Sequence, residues 1–97
     1  MATYVTLFNF TQQGLSNIKE TINRVEAAKK AGAQIGMKIK EVVWTQGQYD
    51  IIVISESSDE TATNAFLLST MKAGNVRGQT LRAFTQAEMQ KILDKVA

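Results

Sequence analysis

Five side chains in this sequence sit where their types and spacing could do chemistry: Asn9, Trp44, Tyr49, Asp50 and Arg82. In the segment Gly47-Gln48-Tyr49-Asp50 the carboxylate has two readings. At the mouth of a pocket Asp50 is a proton acceptor and Tyr49 the orienting donor. In a turn, Asp50 instead accepts backbone amides beside a glycine of positive φ. Trp44 closes an apolar run, and serves either as core or dimer interface or as a platform for substrate. Asn9 interrupts an apolar segment; if buried, it must bond a neighbouring strand or a ligand. Arg82 lies between Leu81 and Ala83, and in a strand buried on both faces it needs a carboxylate. Glu41 and Asp50 are candidate partners, and an anionic ligand is the alternative. No residue is assigned a catalytic role.

The absences are as informative. The 97 residues contain no histidine and no cysteine. No Ser-His-Asp relay is available, nor any side chain whose unperturbed pKa lies near neutrality. Thiolate nucleophiles, iron–sulfur clusters, structural zinc and disulfides are excluded with cysteine. P-loop and dinucleotide-binding patterns are missing, so no cofactor is expected. The net charge of +2 and pI near 9.0 reflect a small basic excess and are not a nucleic-acid footprint. Lys29, Lys30, Lys38 and Lys40 read as a solvated face.

Composition is that of a globular chain, 44% hydrophobic and 21% charged, with no proline and no linker. Residues 1–97 read as one domain. The longest aliphatic run, Ile51-Ile52-Val53-Ile54, is far short of the ~20 residues of a spanning helix. Met1-Ala2-Thr3-Tyr4 lacks the charged and apolar regions of a signal peptide. A soluble, cytoplasmic protein is expected, without membrane partners. A core this small, unbraced by disulfide or metal, makes association with a second copy an attractive source of stability.

These side chains need a scaffold. Tyr4 to Phe10 reads as a first strand. A helix follows, with Leu15, Ile18, Ile22 and Val25 on its apolar stripe and Lys19, Glu20, Asn23, Arg24 and Glu26 opposite. Thr21 is a possible break, and Gly32 or Gly36 a possible C-cap. Met37–Thr45 and Tyr49–Ser55 form a hairpin about Gln46-Gly47-Gln48. Ser57 and Glu60 suggest a capping box for a second helix carrying Ala62, Phe66, Leu67 and Met71, closed by Gly74. Val76–Phe84 is a fourth strand. Thr85 and Glu88 make another capping box, opening a terminal helix with Met89, Ile92, Leu93 and Val96 on one side.

The order β-α-β-β-α-β plus a C-terminal helix is that of an α+β, ferredoxin-like domain, an antiparallel sheet with two helices on one face. Its central strands are apolar on both faces. Ile51 and Val53 oppose Ile52 and Ile54, and Tyr4, Phe8 and Phe10 oppose Val5 and Leu7. The second face therefore needs a cover, and a second subunit packed sheet against sheet supplies it economically. RNA-binding sheets of this topology carry exposed aromatics and a basic-Gly-aromatic block on the third strand. Asp50-Ile51-Ile52-Val53-Ile54-Ser55 has neither, so no nucleic-acid partner is expected.

Gly47-Gln48-Tyr49-Asp50 followed by four aliphatics resembles the G-x-Y-D signature of the GYD-domain family of small bacterial proteins. Tyr4-Val5-Thr6-Leu7 with Asn9-Phe10-Thr11 and Gly14 is similar to the same family. So are Asn75-Val76-Arg77 and Thr80-Leu81-Arg82-Ala83-Phe84-Thr85. The likeness runs from about residue 3 to about residue 95 and implies a subunit of the dimeric α/β-barrel kind. It brings no activity with it.

Two functions fit these residues. One is a homo-oligomeric module, dimeric or higher, that binds a small ligand or partner in a cleft between sheet and helices. The other is a cofactor-independent monooxygenase- or isomerase-like enzyme, in which Asn9, Trp44, Tyr49, Asp50 and Arg82 orient a substrate and stabilise its anion. An enzyme should leave Arg82 or Asp50 unpaired in an enclosed pocket; a module can have the two charges paired with each other.

Overall fold

Alternating side chains of β1 (Ala2–Phe10) direct Tyr4, Thr6 and Phe8 into the protein interior, and this strand sits at the centre of the molecule. The computed structural model describes residues Met1 to Ala97. After β1 come a short helix α1 (Gln12–Ser16), a 3₁₀ turn (Ile18–Glu20) and α2 (Thr21–Gln34). The hairpin strands are β2 (Met37–Trp44) and β3 (Ile51–Ser57), followed by α3 (Glu60–Lys72), β4 (Val76–Ala83) and α4 (Gln86–Leu93). The sheet order is β2-β3-β1-β4 and every neighbouring pair is antiparallel. This is the ferredoxin-like arrangement that the element order predicts.

Three left-handed glycines, Gly36, Gly47 and Gly74, punctuate the chain where α2, the hairpin and α3 must turn. Gly36 therefore ends the first long helix; Gly32 lies inside it, buried against Met37 and Phe66. The Thr85–Glu88 capping box forms in full, with Glu88 N–H on Thr85 Oγ1 at 3.2 Å and Thr85 N–H on Glu88 Oε1 at 3.0 Å. The box expected at Ser57 and Glu60 does not form. Asp59 is the N-cap, accepting from Thr61 N–H at 2.9 Å, while Ser57 ends β3 with its hydroxyl on the Asp59 backbone.

The first helical segment departs most from expectation. It breaks at Asn17, and α2 restarts at Thr21 with a shifted phase. Leu15, Ile18 and Ile22, predicted to face the core, are exposed. Positions 21, 24, 25, 28, 31 and 32 become the inward stripe of α2. Arg24, read from sequence as outward, consequently turns in.

The core is small. Phe8, Ile51, Val53 and Val76 form its centre, with Phe10, Ile39, Val42 and Leu67 packed against them. Both faces of the central strands behave as the sequence alternation requires: Ile51 and Val53 are buried under the helices, whereas Ile54 on the opposite face is exposed. Register aligns Val5 with Ile54 and Leu81, and Leu7 with Ile52, which in turn faces Val43. The result is an apolar patch on the outer face to which all four strands contribute, with Glu41 beside Ile54 and Gln79 opposite Leu7. The terminal helix does not cover it: α4 has no buried residue, and Met89 and Leu93 are about half exposed.

Candidate functional site

The helices flank the sheet rather than close over it. α2 packs chiefly on β2 at one edge, and α3 on β4 at the other. Between them lies a cleft of about 340 Å³, within the roughly 300–1,000 Å³ range of ligand sites. Phe8, Phe10, Ile51 and Val53 provide apolar floor from the central strands, and Phe66 contributes from α3. On the α2 side the lining is Ala27, Ala28 and Ala31. Alanine favours the helix but fills little volume, so the stripe that directs α2 inward also leaves the gap open. An apolar gap left empty deprives its lining of dispersion contacts, so the site is suited to an apolar occupant.

Polar groups in the cleft are few: Thr21 and Arg24 on α2, Ser69 and Thr70 on α3, and Asn75 just before β4. Arg24 is half-buried there, donating Nη1–H to Asn17 O at 3.2 Å and Nη2–H to Gly14 O at 3.4 Å. It takes part in none of the ion pairs of the chain, Lys29–Glu26, Lys40–Glu56 and Arg82–Glu88. Thr21 also lines the cleft, and its Oγ1 accepts Trp44 Nε1–H at 3.0 Å. The single tryptophan is thus attached to the cleft's rim without lining it.

The residues singled out by sequence fall in three places. Asn9, Tyr49 and Asp50 come together where the hairpin meets β1. Asn9 Nδ2–H donates to Gln48 O at 2.7 Å, and Tyr49 Oη accepts from Gln79 Nε2–H at 3.2 Å. Asp50 Oδ2 accepts Phe10 N–H at 2.8 Å, and Asp50 N–H donates to Phe8 O at 2.9 Å. Tyr49 and Asp50 belong to the loop between Trp44 and Ile51, which is six residues rather than the expected three. Trp44 is at the cleft rim. Arg82 lies toward the other end of the sheet, opposite Tyr4, whereas Asn9 lies opposite Arg77. Tyr4 and Asn9 are roughly 17 Å apart at ordinary strand rise.

Arg82 pairs with neither Glu41 nor Asp50. Its Nη2 lies 3.5 Å from Glu88 Oε2, its Nη1 donates to the carbonyls of Thr3 and Ala83, and its guanidinium stacks 4.4 Å from the Phe84 ring centroid. The backbone N–H of Thr85, with Arg82 adding to it, holds the Glu88 carboxyl below its ordinary range. None of these groups lines the cleft. Asp50 and Arg82 are both occupied, but by other partners than each other.

The sequence predicts a cleft between sheet and helices but not which residues line it. The signal for the lining is the small-residue stripe Ala27-Ala28-Ala31-Gly32 beside Val25, legible only once the helix is allowed to restart at Thr21. No helix is long and apolar enough to cross a membrane.

Among solved structures, the fold is similar to part of a homoserine dehydrogenase from Thiobacillus denitrificans, with a TM-score of 0.53 and 20% identity. The match covers 84% of this chain and 17% of that one, and at this identity it concerns the fold alone. No curated protein matches the sequence. The GYD-domain family model matches residues 4–93, spanning both the Gly47–Asp50 segment that fastens the hairpin and the helices that frame the cleft. The chain therefore belongs to the GYD-domain family.

Proposed function

We propose that this protein is a homo-oligomeric module that holds a small ligand in the cleft between its sheet and its helices. The observation that carries the reading is the apolar cleft of about 340 Å³ above the central strands, flanked by alanines of α2. The enzyme reading asks for Asp50 or Arg82 to stand unpaired in an enclosed pocket. Asp50 is instead committed to the Phe10 amide and Arg82 to Glu88, both outside the cleft, which favours the binding module.

Self-association is supported by the outer sheet face. Ile54, Val43 and Leu81 are exposed there, in register with Val5, Leu7 and Ile52. Only eight hydrophobic residues are buried within the chain, so a sheet-to-sheet contact would add apolar burial that one copy lacks.

Native mass spectrometry of the freshly purified protein, set against its denatured mass, tests both parts. The expected species is an oligomer carrying a reproducible small-molecule mass that Ala31→Phe abolishes by filling the cleft. A monomer would overturn the association. An oligomer whose adduct is unchanged by Ala31→Phe would overturn the cleft as its site.

A further inference from the structure

We propose that the occupant of the cleft is a small amphipathic carboxylate, whose apolar body lies over Phe8 and Phe10 and whose head group meets Arg24. This rests on the ligand-binding reading of the cleft and adds the chemistry of its ligand. The cleft's lining is overwhelmingly apolar, with aromatic and branched aliphatic side chains from the sheet and methyl groups from α2. Such a surface accepts hydrocarbon or an aromatic ring and rejects a polyhydroxylated or multiply charged molecule, whose polar groups would lose water without replacement.

The one ionic group that lines it is Arg24. A half-buried guanidinium normally finds a carboxylate, because its charge is partly desolvated. Arg24 has none, and its bonds run to two backbone carbonyls, those of Gly14 and Asn17. Of its five N–H donors only two are used, so the planar fork keeps capacity for an anion. The bonds to Gly14 O and Asn17 O hold the guanidinium in place at the broken end of α1, and a held donor loses little entropy on binding. A single cation beside an apolar cleft is complementary to a single anion on an apolar body. Thr21, on the same helix three residues before Arg24, supplies a hydroxyl at the rim.

Octanoate and octanol are suitable probes, sharing a chain and differing in the head group. Both are titrated into the full-length protein while the fluorescence of its sole tryptophan, Trp44, is followed through its bond to Thr21. Octanoate is expected to bind about tenfold or more tightly than octanol, the gain of a charge-assisted hydrogen bond. Added salt should narrow this preference. Arg24→Gln should reduce octanoate to the affinity of octanol and leave octanol unchanged. Equal affinity of the two probes for the unmodified protein overturns the role of Arg24 while the cleft reading stands. Failure of both probes to bind, or binding of both that survives Ala31→Phe, overturns the cleft reading itself. The acid–alcohol comparison needs no variant, so it decides the matter even if Arg24→Gln does not fold.

Discussion

The carboxylate of Asp50 accepts the backbone N–H of Phe10 at 2.8 Å, across forty residues of sequence. This bond and the neighbouring Asp50 N–H to Phe8 O contact fasten the hairpin loop to the end of the central strand. Removing the acceptor by Asp50→Ala is expected to lower stability by about 1.5–3 kcal/mol, the worth of a hydrogen bond with a charged partner. Asp50→Asn keeps an oxygen able to accept, and should lose about 1 kcal/mol or less. Urea denaturation midpoints measure both. Equal losses in the two variants would show that the bond to Phe10 is not what Asp50 contributes.

Gly78 lies opposite Phe8 in the β1–β4 ladder, and the two are packed without room for a side chain. A Cβ at Gly78 would stand 2.5 Å from the Phe8 ring and 2.6 Å from the Leu7 carbonyl. Phe8 is a buried member of the central cluster, so the ring cannot simply swing to solvent. Gly78→Ala should therefore destabilise by about 1–3 kcal/mol or more, as overpacking does, with a matching fall in Tm. A thermally unaltered Gly78→Ala would mean that β4 shifts freely against β1.

Much of this arrangement is legible in the sequence because local signals and alternation agree. Ile51 and Val53 against Ile52 and Ile54 fix the faces of β3, and Thr85 with Glu88 fixes the start of α4. What escapes is any feature that depends on the phase between elements. Leu15, Ile18 and Ile22 make a persuasive helical stripe, yet the interruption at Asn17 rotates the following helix and leaves them exposed. The same rotation carries Arg24 to the cleft. Asp50 poses a different difficulty: the adjoining glycine suggests its turn role, but its partner, Phe10, is distant in sequence. Spacing alone cannot show that pairing.

Ser55 Oγ is the only buried side-chain polar atom without a hydrogen-bond partner, on a residue with no exposed surface. An unsatisfied buried hydroxyl carries a desolvation penalty of about 1–3 kcal/mol. Ser55→Ala removes it with almost no change in volume. The variant is expected to be more stable than the parent, by up to about 1 kcal/mol after the small lost packing is counted. A clear fall in Tm would show that the hydroxyl is satisfied in solution.

Asp59 and Glu88 cap the N-termini of α3 and α4. The Thr61 hydroxyl and backbone N–H hold the Asp59 carboxyl below its ordinary 3.8, and the Thr85 backbone N–H, then Arg82, hold Glu88 below 4.5. A carboxyl depressed in the folded state adds stability that is fully present above its unfolded value and is lost as the pH falls through the folded one. Acid should therefore weaken both helix starts, with the loss beginning below about pH 4.5 for α4 and at lower pH for α3. Circular dichroism at 222 nm during acid titration follows this. Glu88→Gln should remove the earlier part of the pH dependence; an unchanged profile would assign the acid sensitivity to other carboxylates.

Ile54 occupies the middle of the outer sheet face, aligned with Val5 on β1 and, one strand further, with Leu81 on β4. In an isolated chain it is exposed, so Ile54→Lys should be accommodated with little loss of fold, its ammonium in water. In the proposed sheet-to-sheet dimer the same lysine would be held against the partner's apolar face and desolvated, with only its cross-strand neighbour Glu41 to offset the charge, at a cost of several kcal/mol. The variant is thus expected to sediment as a monomer with unchanged circular dichroism, while Gln46→Lys, in the hairpin loop, leaves association intact. Persistence of the oligomer in Ile54→Lys would move the contact away from the outer face. The exposed stripe of Leu15, Ile18 and Ile22, or the apolar side of α4, would then be the surface to alter next.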